Sequence, residues 1–439
     1  MKPFRILISL LLTFVAVICF APTAWAFCGF YVAKADTKLY NKASQVIIAH
    51  DGNRTILTMA NDYQGDVKDF ALVVPVPVVL QKEQVRVGDP KIIERLDAFS
   101  APRLVEYFDE DPCAEDYDMS RRQGAGTRGA PAASESRNRN EQNSFGVTIE
   151  ARFSVGEYDI LILSATESNG LQTWLIRNGY KIPTGAAQLL QTYIRQNMKF
   201  FVAKVNLGEF QKSGYQLLRP LQMAYESPRF MLPIRLGMIN ASAAQDLIIY
   251  ILSPKGQTEV TNYRTVKVPS DSEIPVFVKK EFGDFYKAMF AKAYTQEDQK
   301  VAFLEYAWDI SNCDPCSAEP LNQEELKGAG VFWINSSTPG NVFITRLHVR
   351  YTRDKFPEDL MFQETSNQQN FQGRYILRHP FEGEANCQAG QQYKRSLAER
   401  FEREAQNLAK LTGWNINDIR KKQPVSQSES RPFWRNIWN

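Results

Sequence analysis

The chain has 439 residues, of which 44% are hydrophobic, 12% aromatic and 23% charged. These values are typical of globular proteins, and they exclude a chain that is disordered throughout. The formal net charge of +3 is too small to indicate nucleic acid as a partner, and we expect none.

The first 26 residues have the pattern of a secretory signal peptide. Lys2 and Arg5 form the charged end, residues 6–20 are apolar, and residues 24–26 read Ala-Trp-Ala, a small-x-small cleavage site. We therefore predict cleavage near Ala26 and an extracytoplasmic location, periplasmic or secreted. A retained N-terminal anchor is the alternative, because the apolar run is long for a signal peptide.

Residues 27–117 are predicted to form a β-rich part. Two apolar runs flank the sequence Asp-Gly-Asn at 51–53, which is the turn chemistry of a hairpin. The run "DFALVVPVPVVL" comes next as a strand that Pro75 and Pro77 place at a sheet edge or a strand end. The segments "PKIIERLDAF" and "PRLVEYF" are predicted as short helical pieces, and His50 as an exposed residue beside the turn.

Residues 118–144 contain almost no large apolar side chain and are predicted to be a disordered polar insertion. Residues 145–387 are predicted to be a core of β-meander and helices that continues the same domain. Its helix "EFGDFYKAMFAKAY" carries an apolar stripe that faces the core, and Val301, Leu304 and Trp308 extend the helical period. The pattern predicts an α+β fold with a mainly antiparallel sheet, several packed helices and a C-terminal helix.

Residues 388–439 are predicted to form a basic helix followed by an aromatic tail. Aromatic rings beside arginines suit an anionic membrane surface or the groove of a partner, either an unknown protein or another envelope component. A solvated helix with the tail folded onto the core is the alternative. The candidate contact residues are Trp414, Arg431, Phe433, Trp434, Arg435 and Trp438.

Five cysteines remain after removal of the signal peptide, in a compartment that permits disulfides. Because the number is odd, at least one thiol is unpaired or joined to a partner. The spacing leaves the pairing open. The disulfide candidates are Cys28, Cys113, Cys313, Cys316 and Cys387.

The pair in "NCDPC", Cys313 and Cys316, admits three interpretations: a redox site, half of a zinc site, or a structural bridge. The predicted helix before the pair would place it at a helix C-terminus, where the dipole opposes a thiolate. A second pair of zinc ligands at short spacing is missing, since His348 and His379 stand alone. We therefore favour a structural bridge and predict no cofactor.

The acidic stretch "FDEDPCAEDYD" could bind calcium, but it lacks the glycine and the terminal glutamate of a helix-loop-helix site. We favour a solvated acidic loop and predict no metal. The oxygen ligands of the calcium alternative would be Asp109, Asp111, Glu115, Asp116 and Asp118.

Several stretches occur in an order that resembles a known bacterial family. They are "CGFYVAKAD", "QVIIAHDGNRTILTMANDYQGDVKDFALVVPVP", "LDAFSAPRLVEYF", "NCDPC" and "ITRLHVRYTRDKFPEDL", and they span roughly Cys28 to Cys387. Together they resemble the family catalogued as domain of unknown function 2330. The resemblance implies an exported protein of unassigned activity, and it supplies no catalytic residues.

The function predicted is that of an exported envelope protein that is more a binding or structural component than an enzyme. The chain contains no Gly-x-Ser-x-Gly, His-Glu-x-x-His or phosphate-binding loop, and we predict no catalytic residues. Two alternatives stay open: a thiol-disulfide redox protein that uses the Cys-Asp-Pro-Cys pair, and a peripheral membrane protein attached by its tail.

Overall fold

A computed structural model of the chain describes residues 44–60, 71–114, 146–178, 180, 185–215, 217–239, 243–312, 318–335 and 340–424. It also gives the backbone of four two-residue strands at 30–31, 40–41, 63–64 and 143–144.

The strands, in chain order, begin with β1 (Phe30–Tyr31), β2 (Tyr40–Asn41), β3 (Ser44–Asp51), β4 (Arg54–Met59), β5 (Tyr63–Gln64), β6 (Ala71–Val76), β7 (Val85–Val87), β8 (Arg103–Phe108), β9 (Asn143–Ser144), β10 (Val147–Val155), β11 (Tyr158–Ala165) and β12 (Lys199–Val205). They continue with β13 (Leu221–Glu226), β14 (Met231–Leu232), β15 (Gln245–Ser253), β16 (Thr258–Val260), β17 (Arg264–Lys267), β18 (Ser272–Glu273), β19 (Val301–Asp309), β20 (Phe343–Tyr351), β21 (Leu360–Glu364), β22 (Phe371–Gln372) and β23 (Arg374–His379).

The helices within the described residues are α1 (Pro90–Ser100), α2 (Ser168–Arg177), α3 (Ala186–Arg195), α4 (Leu207–Ser213), α5 (Phe282–Gln296), α6 (Gln323–Gly328), α7 (Gln388–Thr412) and α8 (Ile416–Lys422). A 3-10 helix at Val276–Glu281 leads directly into α5.

Two large sheets form the centre of the fold. One has six strands in the order β1-β6-β12-β11-β10-β9, and the other has the order β17-β19-β20-β15-β3-β4-β13-β7 with β22 added beside β19. Most pairs are antiparallel, but β3 runs parallel to β15 and β17 runs parallel to β19. A small sheet of β18, β23 and β8 is entirely parallel.

The main core lies between the two large sheets. It contains Leu72 and Ile160 of the six-stranded sheet together with Ile48, Ile249 and Leu347 of the other. Since side chains alternate between the faces of a strand, the neighbours of these residues point to the outer faces. The two sheets therefore stack as a sandwich.

Helices cover both outer faces of the sandwich. Helices α2 and α3 pack on the six-stranded sheet. On the nine-stranded sheet, α1 and α6 cover one part, while α5 and α7 cover another. The chain is thus an α+β protein with a mainly antiparallel sheet, as its sequence predicts.

Several local predictions are confirmed. The hairpin turn at Gly52 has a positive φ of 62°, which glycine adopts without strain. The apolar stripe of α5 is core, since Phe285, Met289 and Phe290 are buried. Pro75 lies near the end of β6, beyond the two residues that pair with β1.

Two segments predicted as helical are strands. Val301, Leu304 and Trp308 belong to β19, in which seven of nine residues are buried. A strand that is covered on both faces is apolar throughout, so some of its apolar residues also have the spacing of a helix. The segment "PRLVEYF" contains β8, which pairs in parallel with β23.

His50 is a further correction, because it is buried rather than exposed. Its ring stacks on Phe230 at 3.7 Å between centroids, and its Nδ1 lies 2.9 Å from the Thr55 hydroxyl. Burial lowers the pKa of His50 below its ordinary value.

Other predictions fall outside the described residues. These are the signal peptide at 1–26 and, apart from the backbone of β9, the polar insertion at 118–144. No helix in the described part of the chain combines the length and the apolar character needed to cross a membrane.

Candidate functional site

Two buried ionic clusters stand out, and the first lies on the outer face of the nine-stranded sheet. We call it the central network; it comprises Asp246 of β15, Glu305 of β19, and Arg346, His348 and Arg350 of β20. Arg346, His348 and Arg350 share one face of β20 because they are two residues apart. The network lies where the core under α1 meets the core under α5 and α7.

A β-bulge brings Glu305 into this network. The register of β19 against β20 shifts between Leu304 and Tyr306, which leaves Glu305 as the extra residue. Leu304 faces the core between the sheets, whereas Tyr306 faces the helices. Because of the bulge, Glu305 also faces the helices and meets the cations of β20.

His348 is held between two carboxylates. Its Nδ1 is 2.8 Å from Glu305 and its Nε2 is 3.0 Å from Asp246, while its ring stacks on Phe290. An imidazolium satisfies both contacts, since each ring nitrogen then donates a hydrogen bond. Burial lowers the pKa of His348, but Glu305 and Asp246 outweigh that effect and raise it.

The arginines complete the pairing. Arg346 donates from Nε to Glu305 at 2.6 Å and from Nη1 to Asp97 of α1 at 2.7 Å. Arg350 forms two hydrogen bonds with Asp246, at 2.8 and 2.9 Å. When Asp97 is counted with the network, its three cations thus face three carboxylates.

The pairing decides the protonation of the acids. Burial raises the pKa of Glu305, but Arg346 and His348 outweigh it and lower this pKa to about 2. Burial also raises the pKa of Asp246, but His348 and Arg350 outweigh it and lower this pKa to about 2. Within the described residues, no buried side-chain nitrogen or oxygen of this network lacks a hydrogen-bond partner.

The second cluster lies where β8 and β23 meet α7, and a disulfide joins these parts. The sulfurs of Cys113 and Cys387 are 2.14 Å apart, with a separation of 274 residues along the chain. Cys387 is also the N-cap of α7, since its sulfur accepts a hydrogen bond from the backbone N–H of Gly390. The disulfide therefore ties the start of α7 to the segment after β8.

Further along α7 lies a group that we call the C-terminal cluster: Asp109, Tyr393, Arg400 and Glu404. Asp109 accepts hydrogen bonds from Tyr393 at 2.6 Å and from Arg400 Nη1 at 2.5 Å. The Nε and Nη2 atoms of Arg400 are buried without a hydrogen-bond partner, and so is Oε1 of Glu404. The Arg400 Nε and the Glu404 Oε1 are 3.5 Å apart but lack hydrogen-bond geometry.

Glu404 lines a cavity of about 530 Å³, which we call the C-terminal cavity. Its apolar wall includes Pro275, Phe277 and Phe401, and Lys422 of α8 also lines it. Glu404 is only 1% exposed. Burial raises the pKa of this carboxyl to about 7, against the weaker opposing effect of Arg400.

The structure brings together two of the five disulfide candidates, Cys113 and Cys387. Cys28, Cys313 and Cys316 lie outside the described residues. Asp109, a candidate calcium ligand, instead accepts hydrogen bonds from the C-terminal cluster. No group of three potential metal ligands is suitably placed within the described ranges.

Of the candidate contact residues, only Trp414 is described. It is partly buried and packs on the core under α5 and α7, with Phe277 beside it in a second cavity of about 290 Å³. The candidates outside the described residues are Arg431, Phe433, Trp434, Arg435 and Trp438.

Glu404 is a site residue that the sequence patterns above do not single out. A signal is present, because Phe401, Ala405 and Leu408 have helical spacing and Glu404 falls on the same stripe. A glutamate among apolar positions of a helix is a candidate for a buried, functional carboxyl.

The family model described as an uncharacterized protein conserved in bacteria, DUF2330, matches residues 22–363. Since this is more than half of the chain, the protein belongs to that family. No curated protein and no solved structure matches the chain. The matched region contains the central network and Cys113, and it ends before Cys387 and Glu404.

Proposed function

We propose that this member of the family is an exported envelope protein that acts by binding, with a disulfide that stabilises the binding region. The observation that carries the proposal is the bond between Cys113 and Cys387, which fixes the start of α7, the helix that contributes Phe401 and Glu404 to the C-terminal cavity. Disulfides persist in oxidising compartments and are rare in the cytosol. The predicted signal peptide at 1–26 supports the same location.

Binding is favoured over catalysis by the contrast between the two clusters. The carboxylates of the central network are ionised and fully engaged by Arg346, Arg350 and His348. Within the central network, that arrangement leaves no carboxylate with a pKa near neutrality and supports a structural role for the network. The C-terminal cavity instead has the volume, the apolar wall and the few convergent polar groups of a small-molecule site.

The test is cell fractionation combined with mass mapping of the purified protein. We expect the chain in the extracytoplasmic fraction, with an N-terminus near Phe27 and a cross-linked peptide pair that contains Cys113 and Cys387. A cytosolic protein that retains its leader and has both thiols free would contradict the proposal.

One observation favours the redox alternative as a second function. A strand, β19, precedes the Cys313 and Cys316 pair, as in thioredoxin-like proteins, so no helix C-terminus at this point opposes a thiolate. Against it, residues 318–322 are not helical, and the next helix in the described part of the chain begins at Gln323. Differential thiol labelling in mild reductant tests this function: rapid opening of a bridge between these two cysteines supports it, and resistance opposes it.

A further inference from the structure

A groove of about 410 Å³ lies on the outer face of the nine-stranded sheet, and we call it the sheet groove. Its floor is formed by the last three strands of that sheet, β4, β13 and β7. One wall is the 3-10 helix Lys82–Gln84, and the other is the end of α6 with the segment that follows it. The groove is therefore enclosed by three separate parts of the chain.

Much of the surface inside the groove is apolar. Gly330 lets the segment after α6 approach the sheet, because its φ is +99° and a Cβ there would lie 2.7 Å from Cγ2 of Ile56. An apolar body in the groove would cover this surface and displace water from it. The apolar lining residues from the sheet and from this segment include Ile56, Val331, Phe332 and Ile334.

Arg86 of β7 is positioned at the groove by a buried amide. Its Nε donates to Oε1 of Gln222, and its Nη2 donates to the carbonyl oxygen of Lys327 at 3.1 Å. Gln222 is only 2% exposed, and its amide nitrogen donates to the Thr58 hydroxyl at 2.6 Å and to the carbonyl oxygen of Gly328 at 3.1 Å. Because both ends of this amide are engaged, the guanidinium of Arg86 is preorganised.

The groove has two cations without a carboxylate partner. Within the described residues, Nη1 of Arg86 and the ammonium of Lys327 make no hydrogen bond or ion pair. Both residues are exposed, so a solute can reach these groups. Glu83 is the acid among the described lining residues, which gives them a net charge of 2 minus 1, or +1. A guanidinium binds a carboxylate through paired N–H donors, so the open end of Arg86 suits this group.

We propose that the sheet groove binds a small organic acid with an apolar body, whose carboxylate accepts hydrogen bonds from Arg86 and Lys327. A single negative charge is favoured over a phosphate dianion, because Glu83 repels each further charge. The apolar body packs on Ile56 and Phe332. This site goes beyond the proposed function, since no described residue is common to the walls of the sheet groove and the C-terminal cavity.

The experiment is calorimetric titration of the purified, disulfide-intact protein with 3-phenylpropionate, beside 3-phenylpropan-1-ol and 2-phenylethylammonium as probes of similar size. We expect 3-phenylpropionate to bind at least about fivefold more tightly than either, because hydrogen bonds between charged groups are stronger than neutral ones. Its affinity should fall when the salt concentration rises from about 50 mM to about 500 mM. Inorganic phosphate, titrated in the same way, should bind more weakly because it lacks the apolar body.

Substitutions at the charged positions locate the binding. Lys327→Gln should weaken 3-phenylpropionate by about threefold or more, and Glu83→Gln should strengthen it because a repulsion disappears. Arg86→Gln should remove the preference for the acid. If it fails to fold by circular dichroism, Lys327→Gln carries the test, since the Lys327 ammonium has no partner to lose. Lys91→Gln makes the same charge change at an exposed position of α1 outside the groove, and it should leave the affinity unchanged.

Equal affinity for the three organic probes, no binding of 3-phenylpropionate at millimolar concentration, or an unchanged affinity in Lys327→Gln would overturn the proposal. Tighter binding of phosphate than of 3-phenylpropionate would also overturn it, because the groove would then be a site for an inorganic anion. None of these outcomes depends on the location of the protein in the cell. A failure here therefore differs from a failure of the proposed function, which fractionation detects.

Discussion

The central network and the C-terminal cluster each bury a glutamate beside an arginine, but the two acids differ in protonation. Glu305 is completely buried and has a pKa of about 2, whereas Glu404 is 1% exposed and has a pKa of about 7. The degree of burial is nearly the same. The difference lies in the partners, since Glu305 contacts Arg346, His348 and Tyr286, and Glu404 accepts no hydrogen bond at Oε1.

The partners of a buried acid therefore separate a fully paired ionic cluster from an incompletely paired one. Together with Asp97 of α1, the central network sets three cations against three carboxylates and holds β15, β19, β20 and α1 together. Glu404 has only the 3.5 Å ion pair with Arg400 and accepts no hydrogen bond at Oε1, so burial is poorly compensated there. The two clusters also differ in their relation to the family, because the match ends at residue 363, before Glu404.

Removal of a carboxylate from the central network should have the largest effect on the free energy of unfolding. Glu305→Ala leaves Arg346 and His348 buried without their shared carboxylate, which should lower the free energy of unfolding by about 3–5 kcal/mol. Urea unfolding followed by tryptophan fluorescence measures this loss. Glu305→Gln, which keeps hydrogen-bonding groups in place, should cost less. A loss below about 1 kcal/mol in Glu305→Ala would show that the network is not structural.

Removal of the disulfide should have the next largest effect. In the chain-entropy model, a loop as long as the one from Cys113 to Cys387 stabilises by about 5.6 kcal/mol, and measured losses are commonly about 2–4 kcal/mol. The double substitution Cys113→Ser with Cys387→Ser avoids a new free thiol. Its urea midpoint should fall to that of the reduced wild type, and an unchanged midpoint would contradict the stabilising role.

Glu404 should make the protein less stable as the pH rises, whereas Glu305 should make it more stable. The pKa of Glu404 rises from an ordinary 4.5 in the unfolded chain to about 7 in the folded protein. Its contribution is therefore complete below pH 4.5 and is lost as the pH rises through 7. At about 1.4 kcal/mol for each pKa unit, the loss is on the order of 3 kcal/mol.

The variant Glu404→Gln isolates this contribution. Relative to the wild type, its free energy of unfolding should increase between pH 4.5 and pH 8, because glutamine does not ionise. Other groups titrate in both proteins and cancel in the difference. A difference that stays constant with pH would mean that the carboxyl is paired or solvated.

An exposed ion pair should contribute least. Arg54 and Glu226 are 2.8 Å apart, and both side chains are more than half exposed. Glu226→Gln should change stability by less than about 1 kcal/mol, since solvent screens the pair. A larger loss would show that ion pairs in this fold contribute irrespective of burial, which would weaken the contrast between the two clusters.

The sequence predicts the parts of the fold that depend on local chemistry. The turn at Gly52 results from Asp-Gly-Asn, and the core face of α5 results from its apolar spacing. Strand β19 resembles a helix in sequence because both of its faces are buried, so apolar and polar residues do not alternate along it. Strand β8 is not recognisable locally because its pairing partner, β23, is distant along the chain.

The candidate site depends on contacts that no local pattern contains. Five cysteines allow many pairings, and only the fold brings Cys113 to Cys387. Glu404 is one of several acids on a charged helix, and only the fold shows that it is buried and lines a cavity with Phe277 and Pro275 while Glu399 is exposed. Likewise Glu305 joins Arg346 and His348 through a bulge, which depends on the pairing of β19 with β20.

The contrast between the two buried glutamates can be measured by an NMR titration of protein labelled with ¹³C at the side-chain carboxyl of glutamate. The Glu404 resonance can be assigned by its disappearance in Glu404→Gln. We predict a midpoint near pH 7 for Glu404 and no titration of Glu305 above about pH 3. A Glu404 midpoint near 4.5 would contradict the incompletely compensated burial of this carboxyl.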